Sequence, residues 1–174
     1  AKWITAQWEE GSPLPYFRTV FNADQPGTKP VRAVIYLSGL GCSDLFFNGR
    51  RVDSTRILDP AQSNYELYAL YSTFDVTDRL KKGDNCIGVM LGDGWYNQGK
   101  VWGPGFSYGK PILLAQMEIT YKDGSKKIIG TDETWKWAPG PVLSSNLYAG
   151  EVYDANKEIA GWADAKTPCA DWQS

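Results

Sequence analysis

Apolar and polar residues alternate over many short stretches of this chain, which predicts β-strands rather than helices. Phe17–Phe21 and the second half of Ile112–Tyr121 interleave apolar with polar side chains, and a period of two places one set on each face of a strand. Val31–Leu37 is a further, mostly apolar, extended segment. Cys86–Leu91 is almost continuously apolar, as expected for a central strand that is covered on both sides. Asp78–Gly83 resembles a single helical turn that ends at glycine.

Glycine-containing turns predict that several strands pair as hairpins. Asn48-Gly49 separates Asp44–Phe47 from Arg50–Val52, and Asn-Gly accepts the positive φ angles of a type I′ turn. An Asp-Gly turn precedes Lys126–Ile129 in the same way. Further extended segments are Tyr68–Val76, Trp135–Trp137 and Tyr148–Ala155. About nine or ten short strands in hairpins predict an all-β, two-sheet antiparallel β-sandwich with jelly-roll or Greek-key connections, and a single domain over residues 1–174.

Composition supports an all-β protein and excludes several kinds of chemistry. Aromatic residues make up 14% of the 174 residues, with 8 Trp and 10 Tyr beside 18 Gly and 10 Pro, which favours short strands joined by turns. The chain has no histidine, which excludes Ser-His-Asp catalysis, His-ligated metal sites and an imidazole pH switch. A net charge of −2 without a basic stripe argues against nucleic acid or an anionic membrane as a partner.

The cysteines indicate neither a zinc ribbon nor a dithiol redox site. Cys42, Cys86 and Cys169 lie far apart without a C-x-x-C spacing. We expect all three to be free thiols, with Cys42 and Cys86 acting as small buried apolar residues.

The long irregular segment between Gly92 and Gly109 is the strongest candidate for a functional site. It holds two Trp, two Tyr and one Phe, and loops of this length in a compact domain are usually functional or disordered. Exposed aromatic rings bind the apolar face of a sugar, while Asn, Asp and Gln bind its hydroxyl groups. The candidate sugar-binding residues in this segment are Asp93, Trp95, Tyr96, Asn97 and Trp102. The alternative is that Trp95 and Tyr96 belong to the core or to a docking surface for another domain.

Metal binding and acid–base catalysis have weaker signals. No D-x-D-x-D-G loop occurs, so Asp93 and Asn97 are weak candidates for a calcium site, and no cofactor is expected to be required. Glu151 and Asp154 point to opposite faces of a strand, whereas glycoside hydrolysis needs two carboxyl groups about 5–10 Å apart across a cleft. No catalytic residue is assigned.

Several motifs together resemble one family. They are Phe17-Arg18, Gly39-Leu40-Gly41 through Phe47-Asn48-Gly49, Tyr71–Thr77, Asp84–Val89, Leu91–Tyr96, Thr131–Trp135 and Gly150–Ala155. In this order they resemble the N-terminal β-sandwich of bacterial α-L-rhamnosidases of glycoside hydrolase family 78. The resemblance extends from Trp3 to Trp172 and implies a jelly roll of the galactose-binding-domain-like type.

The resemblance also implies a role. In that family the sandwich precedes an (α/α)-barrel that carries the catalytic carboxylates, and 174 residues leave no room for such a barrel. Some members use the equivalent sandwich as a calcium-dependent L-rhamnose-binding module. The polar pair that binds sugar and calcium there falls near Phe47-Asn48, with a further Asn near Asn97, although Phe47 replaces an acidic or amide residue. We therefore expect Asn48 at the rim of a shallow pocket that is lined by Asp93, Asn97 and Trp102. The simpler interpretation is that Asn48 only forms the hairpin turn.

The expected function is a non-catalytic accessory domain, excised from a larger multidomain enzyme, that aids rhamnoside recognition or supports the catalytic domain. Alternatives are a purely structural interdomain scaffold and a small stand-alone glycosidase that uses Asp and Glu. Expected partners are L-rhamnose-containing glycans and the catalytic domain of the same parent chain. We expect a periplasmic or secreted location in a bacterium. We also expect the aromatic loop and the segment Trp162–Trp172 to expose an apolar patch, because a domain separated from its neighbour uncovers such a surface.

Overall fold

The strands form two antiparallel sheets that pack face to face, as the alternation predicted. The computed structural model describes residues 1–7 and 12–174. The strands are β1 (Pro15–Asn22), β2 (Pro30–Leu40), β3 (Cys42–Phe47), β4 (Arg50–Arg51), β5 (Ser72–Asp75), β6 (Asp84–Gly92), β7 (Ile112–Tyr121), β8 (Lys126–Gly130), β9 (Lys136–Pro139), β10 (Val142–Asn146) and β11 (Gly150–Tyr153). Within the described ranges one α-helical turn is present, α1 (Gly99–Trp102), and no helix is long and apolar enough to cross a membrane.

The strand order confirms a β-sandwich. One sheet has the order β4-β3-β6-β1-β9, the other has the order β5-β2-β7-β8, and β10 and β11 form a separate hairpin. The strand pairs are antiparallel. Strands that are distant in sequence, such as β2 and β7, are neighbours in these sheets.

The core lies between the two sheets and follows from the period of two. In β7, the alternate residues Leu113, Ala115, Met117 and Ile119 are buried, while the residues between them are half-buried. Phe17 of β1 and Val89 of β6 face them from the opposite sheet and belong to the same buried cluster. Each of the larger side chains contributes about 1.5–3 kcal/mol through burial.

Two local predictions need correction. The extended run predicted over Tyr68–Val76 forms a strand only at Ser72–Asp75, because β2 offers ladder partners to β5 only from Val34 to Leu37. Strand β10 was not predicted, since its sequence Val-Leu-Ser-Ser-Asn is largely polar and shows little alternation. The hairpin turn at Asn48-Gly49 is confirmed, with φ angles of 52° and 82°.

The C-terminal segment covers the outer face of the five-stranded sheet. The Trp162 ring stacks on Tyr16 with 4.1 Å between ring centroids and an interplanar angle of 11°, and it meets the Phe46 ring edge-on. Gly88 of β6 lies beneath it. The expectation that Trp162–Trp172 forms an exposed apolar patch is therefore wrong, because Trp162 and Trp172 are half-buried against the sheet.

Arg18 of β1 holds the C-terminal segment against the sheet through hydrogen bonds. Its side chain is 1% exposed, and its guanidinium group donates to the carbonyl oxygens of Thr167 at 3.0 Å and Asp164 at 2.8 Å. It also lies 5.7 Å from the centroid of the Trp172 ring. Hydrogen bonds to a charged donor contribute about 1.5–3 kcal/mol each, so the C-terminal segment is an integral part of the fold.

The cysteines are free, as predicted. Cys86 is buried, whereas Cys42 is half-buried, which corrects the expectation for Cys42. Burial raises the pKa of each of these two thiols to about 11, so both are protonated at neutral pH.

Replacing Gly88 by alanine tests the packing of the C-terminal segment. An added Cβ would lie 2.7 Å from the Trp162 ring and 2.8 Å from Ala163 Cβ, so Gly88→Ala is expected to lower the free energy of unfolding by about 1–3 kcal/mol. Gly105→Ala is the control, because no described atom lies within 4 Å of its added Cβ, and its effect is expected to stay within about 0.5 kcal/mol. Urea denaturation measures both, and equal stability of the two variants would contradict the packing.

Candidate functional site

The segment after β6 folds back on itself at one end of the sandwich. The backbone N–H of Gln98 donates to the carbonyl oxygen of Phe106 at 3.0 Å, and that of Tyr108 donates to the carbonyl oxygen of Tyr96 at 3.0 Å. The helical turn α1 and a 3-10 turn at Pro104–Phe106 lie between these bonds. The segment is therefore an ordered loop. Its base, where the two halves of the loop meet, is closed by these two hydrogen bonds.

The base is held by a chain of side-chain hydrogen bonds. Asp93 is 2% exposed, and its Oδ1 accepts from Asn97 Nδ2 at 2.8 Å. Asn97 Oδ1 in turn accepts from Ser107 Oγ at 2.7 Å. Gln98 donates to the Gly94 carbonyl and accepts from Asn146 Nδ2 at 3.0 Å, which joins the loop to β10. The structure thus brings the predicted residues Asp93 and Asn97 together, but it uses the atoms named here inside the protein.

Close backbone contacts fix where the loop begins. A Cβ on Gly94, which has φ of 47°, would lie 2.3 Å from the carbonyl carbon of Gly41. A Cβ on Gly41 would lie 1.9 Å from the carbonyl oxygen of Gly92. Only glycine fits such an approach, so the loop leaves β6 against the connection between β2 and β3.

Four aromatic residues, here called the end cluster, cover this end of the molecule: Trp95, Trp102, Phe106 and Tyr148. The Trp102 and Tyr148 rings are 5.4 Å apart at 89°, and the Trp95 and Tyr148 rings are 6.0 Å apart at 80°. Trp102 and Phe106 are 6.4 Å apart. Trp102, Phe106 and Tyr148 remain 53%, 58% and 59% exposed, whereas Trp95 is half-buried. The cluster is an ordered apolar surface that faces solvent.

A second aromatic group, the tyrosine triad, joins two tyrosines of this loop to one tyrosine from the segment before β5. It consists of Tyr65, Tyr96 and Tyr108, whose ring centroids are 5.1 to 5.7 Å apart. The predicted residue Tyr96 therefore packs against other rings of the protein. Tyr65 and Tyr148 were missed by the sequence analysis, since each lies in a polar, turn-rich stretch and reaches the loop only through the tertiary fold. Their one local signal is a tyrosine in a turn.

Asn48 does not belong to this site, and its predicted place beside the loop is wrong. Phe47 pairs with Ile87, which places Asn48 near the start of β6, whereas the loop follows the end of that strand. Six residues of strand separate these ends by about 20 Å. Asn48 Oδ1 accepts from the Cys86 N–H at 2.9 Å, and its Nδ2 donates to Asn85 Oδ1 at 2.8 Å. The side chain stabilises the turn.

The calcium site predicted at Asp93 and Asn97 is not supported by a cluster of metal-ligating side chains in the described part of the chain. Among the described residues there is no group of three or more His, Cys, Asp or Glu side chains that could hold a metal ion. Asp93 and Asn97 are hydrogen-bonded to each other. A calcium site at these two residues stays a prediction.

This chain is similar in sequence to one part of several larger enzymes. The sequence profile of the family described as alpha-L-rhamnosidase N-terminal domain matches residues 28–174. An alpha-L-rhamnosidase of Formosa agariphila is 34% identical over 169 residues, or 94% of this chain and 17% of that protein. An alpha-L-rhamnosidase of Streptomyces avermitilis is 36% identical over 167 residues, or 93% of this chain and 16% of that protein. The chain thus spans at most a fifth of the length of these relatives.

Solved structures agree with the sequence comparison. An alpha-L-rhamnosidase from Dictyoglumus thermophilum superposes with a TM-score of 0.86 at 35% identity, over 99% of this chain and 20% of that one. The Streptomyces avermitilis alpha-L-rhamnosidase complexed with L-rhamnose gives 0.85 at 37% identity, over 94% of this chain and 16% of that one. A Pleurotus ostreatus lectin in complex with GalNAc shares the fold alone, with a TM-score of 0.64 at 16% identity over 100% of this chain and 42% of that one.

Replacing Asn97 by aspartate tests the hydrogen bonds at the base of the loop. Asn97→Asp keeps the acceptor for Ser107 but places a second carboxylate against Asp93, so it is expected to lower the free energy of unfolding by about 1–3 kcal/mol at pH 7. Repulsion raises the pKa of the carboxyl pair in the folded state. The folded variant then binds more protons than the unfolded chain, so the loss shrinks as the pH falls.

Asn97→Ala is the matched control, because it removes the same donor without adding a charge. Urea denaturation at pH 7 and pH 4 measures both variants, and the difference between them is expected to be larger at pH 7. An aspartate variant as stable as the original chain at pH 7 would contradict the described contact.

Proposed function

Since this chain belongs to the family of alpha-L-rhamnosidase N-terminal domains, we propose that it is a non-catalytic accessory domain that presents its end cluster to rhamnose-containing glycans. The observation that carries the proposal is the exposed corner formed by Trp102 and Tyr148, whose ring planes meet at 89°. An ordered aromatic surface that faces solvent is suited to contact a ligand or a partner.

The chemistry of L-rhamnose suits such a corner. This deoxy sugar has an apolar ring face and a methyl group, and a pair of rings at right angles offers a surface to each. The Trp102 and Tyr148 rings come from different segments but are held together through the Gln98–Asn146 hydrogen bond beneath them. The rings are therefore positioned before a ligand arrives, which lowers the entropy cost of binding. The Streptomyces avermitilis relative, solved with L-rhamnose, supports the choice of ligand.

The non-catalytic part of the proposal is supported by three carboxylates near this end that accept hydrogen bonds within the protein. Asp93 binds Asn97, and Asp154 accepts from the Asn156 N–H at 3.0 Å. Glu158 accepts from the Tyr153 hydroxyl. In the proposal, the catalytic carboxylates belong to the much larger remainder of a parent alpha-L-rhamnosidase, which is also the partner of this domain. A periplasmic or secreted location stays a prediction.

A scaffold role is the second candidate, and one observation favours it. The polar atoms of Asp93, Asn97 and Gln98 described above hydrogen-bond within the protein, so the end cluster has few polar neighbours to bind sugar hydroxyls. Apolar patches of this kind also form contacts between domains. In this alternative the end cluster contacts the remainder of the parent enzyme and binds no sugar.

Calorimetric titration of the isolated chain with L-rhamnose separates the two candidates. We expect a dissociation constant between about millimolar and tens of micromolar. Trp102→Ala is expected to weaken binding at least about tenfold, because one of the two aromatic rings that form the corner is lost. The melting temperature is expected to stay nearly unchanged. Trp3→Ala, which removes another exposed tryptophan outside the end cluster, is the control and should bind normally. Absence of heat from the folded chain, with or without calcium, would contradict sugar binding and favour the scaffold.

Hydrolysis of an aryl α-L-rhamnoside tests the non-catalytic part. The isolated chain is expected to release no aryl alcohol above the buffer rate. Turnover that survives repurification and is lost on replacing an Asp or Glu of this chain would show a stand-alone glycosidase instead.

A further inference from the structure

We propose that the outer face of the four-stranded sheet carries a second binding site, a groove for an uncharged saccharide of about disaccharide length. The groove has a volume of about 350 Å³ and is lined by Ala1, Tyr36, Leu37, Ser38, Tyr71, Leu114, Gln116 and Glu118. That volume lies within the range of about 300–1,000 Å³ that is typical of small-molecule sites. The groove shares no residue with the end cluster.

The floor of the groove follows from the register of β2 and β7. Ile35 and Leu37 point into the core, so Tyr36 and Ser38 point away from it. Tyr36 lies directly opposite Gln116, and Ser38 lies opposite Leu114. Cross-strand neighbours of this kind are within contact distance, so the floor offers aromatic, amide, hydroxyl and aliphatic groups side by side.

Tyr71 forms one wall and is held in place by the backbone before it. Ser38 Oγ donates to the carbonyl oxygen of Leu70 at 2.7 Å, which fixes the chain next to Tyr71. The Tyr71 ring lies 6.1 Å from Tyr36 at 65° and is 66% exposed. Ala1 forms the opposite wall, above Gly130, where an added Cβ would come within 2.9 Å of Ala1 Cα. The two rings form a second aromatic corner above a polar floor.

Hydrogen-bonding capacity distinguishes this groove from the end cluster. Gln116 Nε2 donates to Glu118 Oε1 at 3.2 Å, and its amide oxygen is available to accept a bond from a ligand. Within the described residues, no hydrogen bond engages the hydroxyl groups of Tyr36 and Tyr71. An aromatic corner with acceptors and donors around it matches a sugar ring, which has an apolar face and hydroxyl groups at its edge.

The charge of the groove selects the kind of saccharide. Its one carboxylate, Glu118, forms an ion pair with Lys126 at 3.3 Å. The remaining charge of the lining in the isolated chain is the α-ammonium group of Ala1, and none of the described Arg or Lys side chains lines the groove. Uronic acids and phosphates are bound mainly by such side chains, so the lining favours an uncharged ligand. A peptide is a poorer match, because the floor lies in the middle of a sheet and offers no open strand edge for backbone pairing.

Nuclear magnetic resonance of the isolated chain tests the groove. The probes are two neutral disaccharides, cellobiose and α-L-rhamnosyl-1,6-glucose, at up to about 10 mM, where a millimolar site would be largely filled. We expect at least one of them to shift the side-chain amide signals of Gln116. Tyr71→Ala and Gln116→Ala are each expected to weaken this binding at least about tenfold, as followed through the backbone amide signals of Ser38 and Leu114 on the groove floor. Tyr68→Ala removes another exposed tyrosine of the same segment outside the groove and is the matched control.

The outcomes separate this proposal from the proposed function. Trp102→Ala should leave the Gln116 response unchanged, so a failure at the end cluster does not affect the groove. A folded chain whose Gln116 signals respond to neither disaccharide overturns the proposal. Sedimentation that shows a dimer abolished by Tyr71→Ala overturns it as well, because a second copy would then be the occupant. Binding that depends equally on Tyr68 and Tyr71 would show non-specific contact and would also overturn the proposal.

Discussion

The display of aromatic rings at one end of the sandwich depends on the buried carboxylate of Asp93. A buried polar group without a partner costs about 1–3 kcal/mol, and Asn97 offsets this cost for Asp93 with a bond of 2.8 Å. That bond, together with the Ser107 hydroxyl on the other side of Asn97, favours one conformation of the loop over others. The rings above the network can therefore remain exposed and ordered at the same time, because polar contacts below them supply the order.

A buried polar side chain also holds a surface segment in place on the outer face of the five-stranded sheet. Arg18 is buried beneath the C-terminal segment and donates to two of its backbone carbonyl groups, while Trp162 covers the sheet above Gly88. This outer face is closed by the chain itself. The outer face of the four-stranded sheet carries an open groove instead. The two outer faces of the sandwich thus differ in structure, because the C-terminal segment packs on one of them and the other carries the groove.

Local sequence signals predicted the strands and turns well, and long-range relationships less well. The alternation in β7 and the Asn48-Gly49 turn depend on neighbouring residues, so both were predictable. The place of Asn48 depends on the register of β3 against β6, in which Phe47 meets Ile87 rather than Gly92. No local pattern contains this register. Tyr148 joins Trp102 for the same kind of reason, because the β10–β11 hairpin was only half predicted. Motifs shared with a family identified the fold and the domain family, but they did not show that Asp93 hydrogen-bonds inside the protein.

The most direct test of the central claim, that the end cluster contacts rhamnose, is a titration of the isolated chain with L-rhamnose in which the indole N–H resonances are followed. Each of the 8 tryptophans gives a separate signal and reports its own surroundings. The account predicts that Trp102 shifts progressively, with a smaller change at Trp95, while Trp135 and Trp137, which are buried in the core, stay constant. A saturable shift elsewhere with none at Trp102 would contradict it, as would no shift in a folded chain.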